Sequence, residues 1–361
     1  MDDLQIACAC AATGVRAGRA IRAALQELPP AQRATPSASP LKPVVRELAR
    51  YVDRLGDTIG IEHLEQLARR TGLRIDLVVD PGSGTVRSIG SSGGDPRAIF
   101  AYMDAVDGTI KIGGLGNDLR GRRLRVANDG GWAAALAFTL PTARSLDRLR
   151  VGDFGVAAVV DGNPPRYRAY PSELAVVPGP GGPAAHDVGD AADWNGGPPP
   201  GPRVFTSTNT TLGQSMVYLD SFQAFDRETR QPGDEELVVE LYRLLINRHE
   251  GGAFDVLRQY ANLSALQRVL LGWRDGEEWI ESQGGGFVVV NENMFNLVPA
   301  VAVVAAAGGR CVDFDGRPLR ERRLRDDRTS IVLAANDELA RALVAIVDTA
   351  RRRVREREGR A

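Results

Sequence analysis

The stretch that most constrains this 361-residue chain is AIFAYMDAVDGTIKIGGLGN, residues 98–117. Its apolar run has the character of a buried strand, and it stops at Asp104 and Asp107, followed at once by Gly108 and Thr109. Two aspartates three positions apart at a strand end can face one point, and hard divalent cations such as Mg²⁺ take oxygen ligands of this kind. A glycine and a threonine beside them can open a helix whose free backbone amides accept a phosphate oxygen. Asp and Gly are equally at home in an ordinary turn, so the stretch alone leaves turn and phosphate site open.

Helices lead and strands follow. Residues 4–30 carry apolar positions at helical spacing and close on Pro29-Pro30; ATPSASPLKP reads as a linker. A second helical stretch, residues 44–72, has an interruption at Gly56-Asp57 and ends on Gly72 as a C-cap. LRIDLVVD and RAIFAYMD are strands joined by a Gly- and Ser-rich loop, and GWAAALAFTL, GVAAVVDG and RYRAYPSELAVV continue the strand character. Residues 178–203 are loop by composition, so the chain divides into an N-terminal α+β half (1–177), a Pro/Gly-rich loop (178–203) and a C-terminal half (204–361). In that last part, helices at DEELVVELYRLLINRH, AFDVLRQYANLSALQRVLLGW, NLVPAVAVVAAAGG and NDELARALVAIVDTARRRVRERE alternate with strands at GGFVVVN, CVDFDG and TSIVLAAN, an α/β layering.

Composition narrows the class. Apolar residues at 43% and charged ones at 25% are ordinary for a globular protein and exclude fibrous and disordered chains. A formal charge of -1 provides no global field toward nucleic acid or an anionic membrane, so neither is an expected partner. The basic residues are almost all arginine, with lysine only at Lys42 and Lys111, and the arginine-rich end reads as a solvated helix terminus. Cys8, Cys10 and Cys311 make no zinc-type spacing, and Cys8 and Cys10 are too close for an ordinary disulfide, which points to a reducing cytoplasm. The start MDDL is acidic, and no apolar run reaches the roughly 20 residues of a membrane span.

Three segments, the last of them in two adjoining stretches near the C-terminal end, carry a family resemblance. MDAVDGT resembles the D-P-(I/L)-D-G-(T/S) signature of the inositol monophosphatase and fructose-1,6-bisphosphatase superfamily of metal-dependent phosphomonoesterases. MFNLVPAVAVVAAAGGRCVDFDGRPL, residues 294–319, is similar to its W-D-x-A-(A/P) helix, EAGG turn and D-G-x-P-L strand, and SIVLAANDELARALVAIV to its closing strand and helix. LGDTIGIEHLEQL resembles the upstream G-D-x-x-T-x-x-D-x-x-x-E segment.

The resemblance implies a layered αβαβα sandwich of the sugar-phosphatase type, Mg²⁺, a small phosphorylated metabolite (polyol, sugar or nucleoside phosphate) as substrate, and a homodimer. Asp104, the Val106 carbonyl and Asp107 would hold metal, and the Gly108 and Thr109 amides phosphate. Thr109, with Glu62 or His63, would orient the attacking water. Two ions roughly 3.5–4 Å apart would then serve an in-line displacement. The departures are specific. Asn296 stands where the family has an aspartate and brings an oxygen without charge; it also suits a helix N-cap. The upstream acidic pair is missing, with Asp80 or Asp95 as its replacement, and Ala105 replaces the signature proline. His63 has an ordinary packing role as its plain alternative, and Glu62 that of a solvated charge. The altered metal set leaves a second expectation open: a degenerate member that binds a phosphorylated ligand or a partner subunit without hydrolysis, or runs another phosphate-dependent reaction.

Overall fold

The computed structural model describes residues 1–26, 42–80, 85–90, 96–107, 132–162, 173–189, 194–220, 224, 231–259, 273–275, 278–280, 284–325 and 327–359. The chain opens with α1 (Asp3–Gln26) and α2 (Lys42–Thr71). Strands β1 (Arg74–Asp80), β2 (Thr85–Ile89), β3 (Ala98–Asp107), β4 (Ala133–Phe138), β5 (Val156–Asp161), β6 (Glu173–Gly179), β7 (Gly182–Asp187) and β8 (Arg203–Val204) form one sheet of order β2-β1-β3-β4-β5-β6-β7-β8. All its pairs are antiparallel except β1 with β3.

Next come β9 (Met216–Asp220), α3 (Asp234–Ile246), β10 (Asp255–Gln259), a short hairpin of β11 (Trp273–Asp275) and β12 (Glu278–Ile280), β13 (Gly284–Asn293), α4 (Met294–Ala306), β14 (Arg310–Asp313), β15 (Arg328–Ala334) and α5 (Asp337–Glu358). Among the described residues, β10-β9-β13-β15-β14 make the second sheet.

Five layers result. α1 and α2 cover one face of the first sheet, α4 lies between the two sheets, and α3 and α5 cover the outer face of the second, so the architecture is the expected αβαβα sandwich. Alternation along each strand sorts the faces. On β3, Ile99 and Ala101 join the core under α1 and α2, whereas Phe100 and Tyr102 join the core around α4. α4 is apolar on nearly every side, as a helix packed between two sheets must be, and Ala133, Ala135, Ala137 and Ala157 give it a floor of small side chains. Asn293 caps it, its side chain accepting from the Phe295 N–H at 2.9 Å, so Asn296 sits in the first turn rather than at the cap.

Several expectations need correction. Residues 178–203 are not simply a dividing loop, because β7 lies within them and pairs with β6. TVRSI, read as loop, is β2, and the start of AFDVLRQ, read as helix, is β10. The arginine-rich end of α5 is not merely solvated: Arg353 and Arg357 reach the fully buried Glu240 of α3 at 3.1 and 2.6 Å. No helix among the described residues is long and apolar enough to cross a membrane.

Gly56 does not interrupt α2, which runs unbroken. Its role is close approach: a Cβ there would lie 2.8 Å from the Ala105 Cβ, and one at Gly60 would collide with the Met103 sulfur. Two glycines a turn apart therefore let α2 lie directly on the end of β3. A Gly→Ala change in a helix normally stabilises by about 1 kcal/mol. At Gly56 the sign should invert, because overpacking against a fixed Cβ costs about 1–3 kcal/mol. Urea unfolding of Gly56→Ala is expected to show a lower midpoint than the parent; a higher one would contradict this packing.

Candidate active site

The site begins with a backbone irregularity. Between β3 and β4 the register steps from Asp104 opposite Ala135 to Asp107 opposite Ala133, three residues against two, which is a β-bulge. Residues three apart in a regular strand point to opposite faces. The extra residue cancels that alternation, so Asp104 and Asp107 both line one cleft of about 320 Å³ at the end of β3. Ala105 and Val106 form part of the same wall.

α2 adds two more carboxylates. Asp53 and Asp57, one turn apart on the helix stripe that holds Gly56 and Gly60, line the cleft from the opposite side. From α4, Asn296 completes the lining with Tyr102 beside it. The Tyr102 hydroxyl donates to the Asn296 Oδ1 at 2.7 Å, and the Asn296 Nδ2 donates to the Glu292 Oε1 at 3.1 Å.

Carboxylates crowd one another at this cleft. Burial, then Asp107, Asp53, Glu292 and Asp57, push the Asp104 carboxyl well above its ordinary value. Burial and then Asp57 push Asp53 up to about 6, and burial alone raises Asp57. Burial, followed by Asp104, Glu292, Asp107 and Asp57, moves the Tyr102 phenol upward too. Such mutual repulsion is what a bound cation relieves.

The expected site residues are distributed as follows. Asp104, Val106, Asp107 and Asn296 meet at the cleft. Asp80 ends β1 two residues beyond the Val78–Tyr102 pair, which sets its backbone beside the bulge; nothing is described of its side chain. Gly108, Thr109 and Asp95 lie outside the described residues. Glu62 and His63 do not line the cleft: Glu62 is exposed, and His63 has Arg16 and Glu62 as charged neighbours. They lie five and six residues after Asp57 and nine and ten after Asp53, none of which is a whole number of turns, so they leave the stripe that holds Asp53 and Asp57. Sequence reasoning missed Asp53, Asp57, Tyr102 and Glu292; the Asp53/Asp57 spacing on the Gly56/Gly60 stripe was the available signal.

The donor chemistry suits a hard cation. Among the described residues no three acidic, His or Cys side chains stand close enough to cage a metal alone. Mg²⁺ needs no such cage, since it keeps several waters and takes one or two carboxylates together with substrate phosphate. Asp104 and Asp107, both lining the cleft, are carboxylates of the kind this requirement names.

No family model matches the chain, and neither does any curated protein. Solved structures do. The extragenic suppressor protein suhB from Bartonella henselae is 14% identical, with 93% of this chain and 95% of that one covered and a TM-score of 0.54. A fructose-1,6-bisphosphatase from Leishmania major is 13% identical over 94% and 91%, with a TM-score of 0.55. An inositol monophosphatase from Anabaena is 13% identical over 93% and 94%, with a TM-score of 0.51. The chain has the fold of the inositol monophosphatase and fructose-1,6-bisphosphatase superfamily. Identities this low show the fold alone.

The raised carboxyls give a pH dependence of stability. Unfolded Asp loses its proton near pH 3.9 (about), and Asp53 in the folded chain does so at about 6, so the native state binds more protons between the two. Metal-free protein should therefore lose stability as pH rises from about 4 to about 7, and saturating Mg²⁺ should cancel the loss. Urea unfolding across this range, with Mg²⁺ or a chelator, checks it; a chelated protein that gains stability over the window would contradict the account.

Proposed function

We propose that this protein is a Mg²⁺-dependent phosphomonoesterase acting on a small phosphorylated polyol, sugar or nucleoside. The observation that carries the reading is the bulge that turns Asp104 and Asp107 into one acidic cleft, faced by Asp53 and Asp57. Asp104, Asp107 and the Val106 carbonyl would hold the ion, with Asp80 as a further ligand candidate from the neighbouring strand end. When bound, Mg²⁺ would lower the charge barrier between the phosphate and these carboxylates and make a water more acidic. Gly108 and Thr109 remain the proposed phosphate-binding residues, on the strength of their position after Asp107. Asp53, with a carboxyl pushed up to about 6, is suited to accept a proton from an attacking water near neutral pH, a task assigned here to the Asp53/Asp57 pair in place of Glu62 or His63. The apolar floor under Tyr102 and α4 keeps bulk water off that side, so these charges act at reduced dielectric. Three buried free cysteines support a reducing, cytoplasmic setting.

A second reading, capture of a phosphorylated ligand without hydrolysis, draws support from the uncharged Asn296, whose amide is already engaged by Tyr102 and Glu292. One assay separates the two. Phosphate release is measured over a panel of phosphomonoesters with and without Mg²⁺. Hydrolysis is expected to require Mg²⁺ and to fall about 100-fold or more in Asp104→Asn and in Asp107→Asn, in line with the several kcal/mol such charge stabilisation contributes. Turnover indifferent to Mg²⁺ and to both substitutions overturns the phosphatase mechanism, whereas saturable ligand binding without release favours the second reading.

A further inference from the structure

Glu292 is a buried carboxylate, 4% exposed, to which the reaction above assigns no task. It follows a second bulge, where β13 steps from Val289 opposite Ile331 to Glu292 opposite Thr329. Asn291 occupies the left-handed region there (φ 58°), which Asn tolerates better than most residues, and it is pinned by its Nδ2 on Asp234 at 2.7 Å and by Arg328 on its carbonyl at 3.0 Å. The bulge thus delivers Glu292 to a defined place one turn before Asn296. Its Oε1 accepts from the Asn293 N–H at 2.8 Å and from the Asn296 Nδ2 at 3.1 Å.

These bonds orient the Asn296 amide. An ionised carboxylate only accepts, so the NH₂ must face Glu292 and the Oδ1 must face Tyr102 and the cleft that both residues line. A negative charge behind the NH₂ also polarises the amide and makes its oxygen a stronger donor of electron density. The logic is that of a carboxylate behind a metal-ligating histidine, which fixes orientation and raises basicity.

We propose that Glu292 is a positioning residue that aims and polarises the Asn296 carbonyl toward a divalent cation held by Asp104 and Asp107, supplying through the amide the charge that Asn296 lacks. This rests on the cation reading of the cleft and deepens it. One consequence is specific to the geometry: a carboxylate at position 296 would meet Glu292 at hydrogen-bond distance with no proton between them. Charge at 292 and charge at 296 are therefore alternatives, and adding the second does not strengthen the site.

The test is Mn²⁺ binding to the full chain, followed by electron paramagnetic resonance titration, with thermal melting to verify folding. The parent should bind Mn²⁺, and Glu292→Gln, which keeps an acceptor but removes the charge, should bind it about 10- to 100-fold more weakly. Asn296→Asp alone should bind no tighter than the parent. Glu292→Gln combined with Asn296→Asp should recover the parent affinity to within about threefold, because the charge has only moved. Equal Mn²⁺ affinity in the parent and Glu292→Gln overturns the proposal, as does a tenfold gain (about 1.4 kcal/mol) from Asn296→Asp alone. If Glu292→Gln does not fold, the Asn296→Asp arm decides by itself. A parent that binds no Mn²⁺ removes the cation reading and this proposal together, whereas a parent that binds it irrespective of residue 292 removes only the proposal.

Discussion

Two side chains separated by three positions cannot share a face of a regular strand, and in this protein the acidic cleft exists because one extra residue in β3 breaks that rule between Asp104 and Asp107. Much of the site's surroundings follow from the break. α2 can seat on the irregular strand end only where it has no side chains, which is why Gly56 and Gly60 face Ala105 and Met103. The same seating carries Asp53 and Asp57 to the other side of the cleft. Across the sandwich, a bulge of the same three-against-two form in β13 places Glu292 before the first turn of α4.

The layers set the dielectric in which these charges act. α4 is covered by a sheet on each side, and the alanines of β4 and β5 let it approach the first sheet closely. The carboxyls on its flank are consequently held near one another with little water to separate them, and their affinity for protons rises. Two buried carboxylates elsewhere in the fold are compensated by arginine: Glu173 takes Arg22 from α1 at 2.6 Å, and Glu240 takes Arg353 and Arg357 from α5. Those pairs fasten helices to neighbouring layers. At the cleft, by contrast, carboxylates stand beside carboxylates, and their affinity for protons is raised.

Much of the fold was legible in the sequence. The strand runs of the first sheet and the helical periodicities of α1, α3, α4 and α5 match the local signals that give elements their type, and the order of three motif-like segments pointed to the layered sandwich. The misreadings have local causes. Gly56 looked like a helix breaker because a glycine that serves close packing and one that ends a helix are identical in sequence. TVRSI and AFDVLRQ lacked a decisive period, and their strand state is settled by pairing with β1 and β9. Of the residues that line the cleft, a motif in the sequence names Asp104, Asp107 and Asn296. Asp53, Asp57 and Glu292 were not, since their place depends on which face of α2 packs and on a bulge in β13, and both are decided by tertiary contacts.

The most direct test of the central claim is an anomalous difference map from crystals of this protein soaked with Mn²⁺ and inorganic phosphate. The account predicts a peak at the β3 bulge, coordinated by the carboxylates of Asp104 and Asp107 and the carbonyl of Val106, with the Asn296 oxygen turned toward it. A cleft that stays empty of Mn²⁺ under those conditions, or a peak bound by other residues, would contradict it.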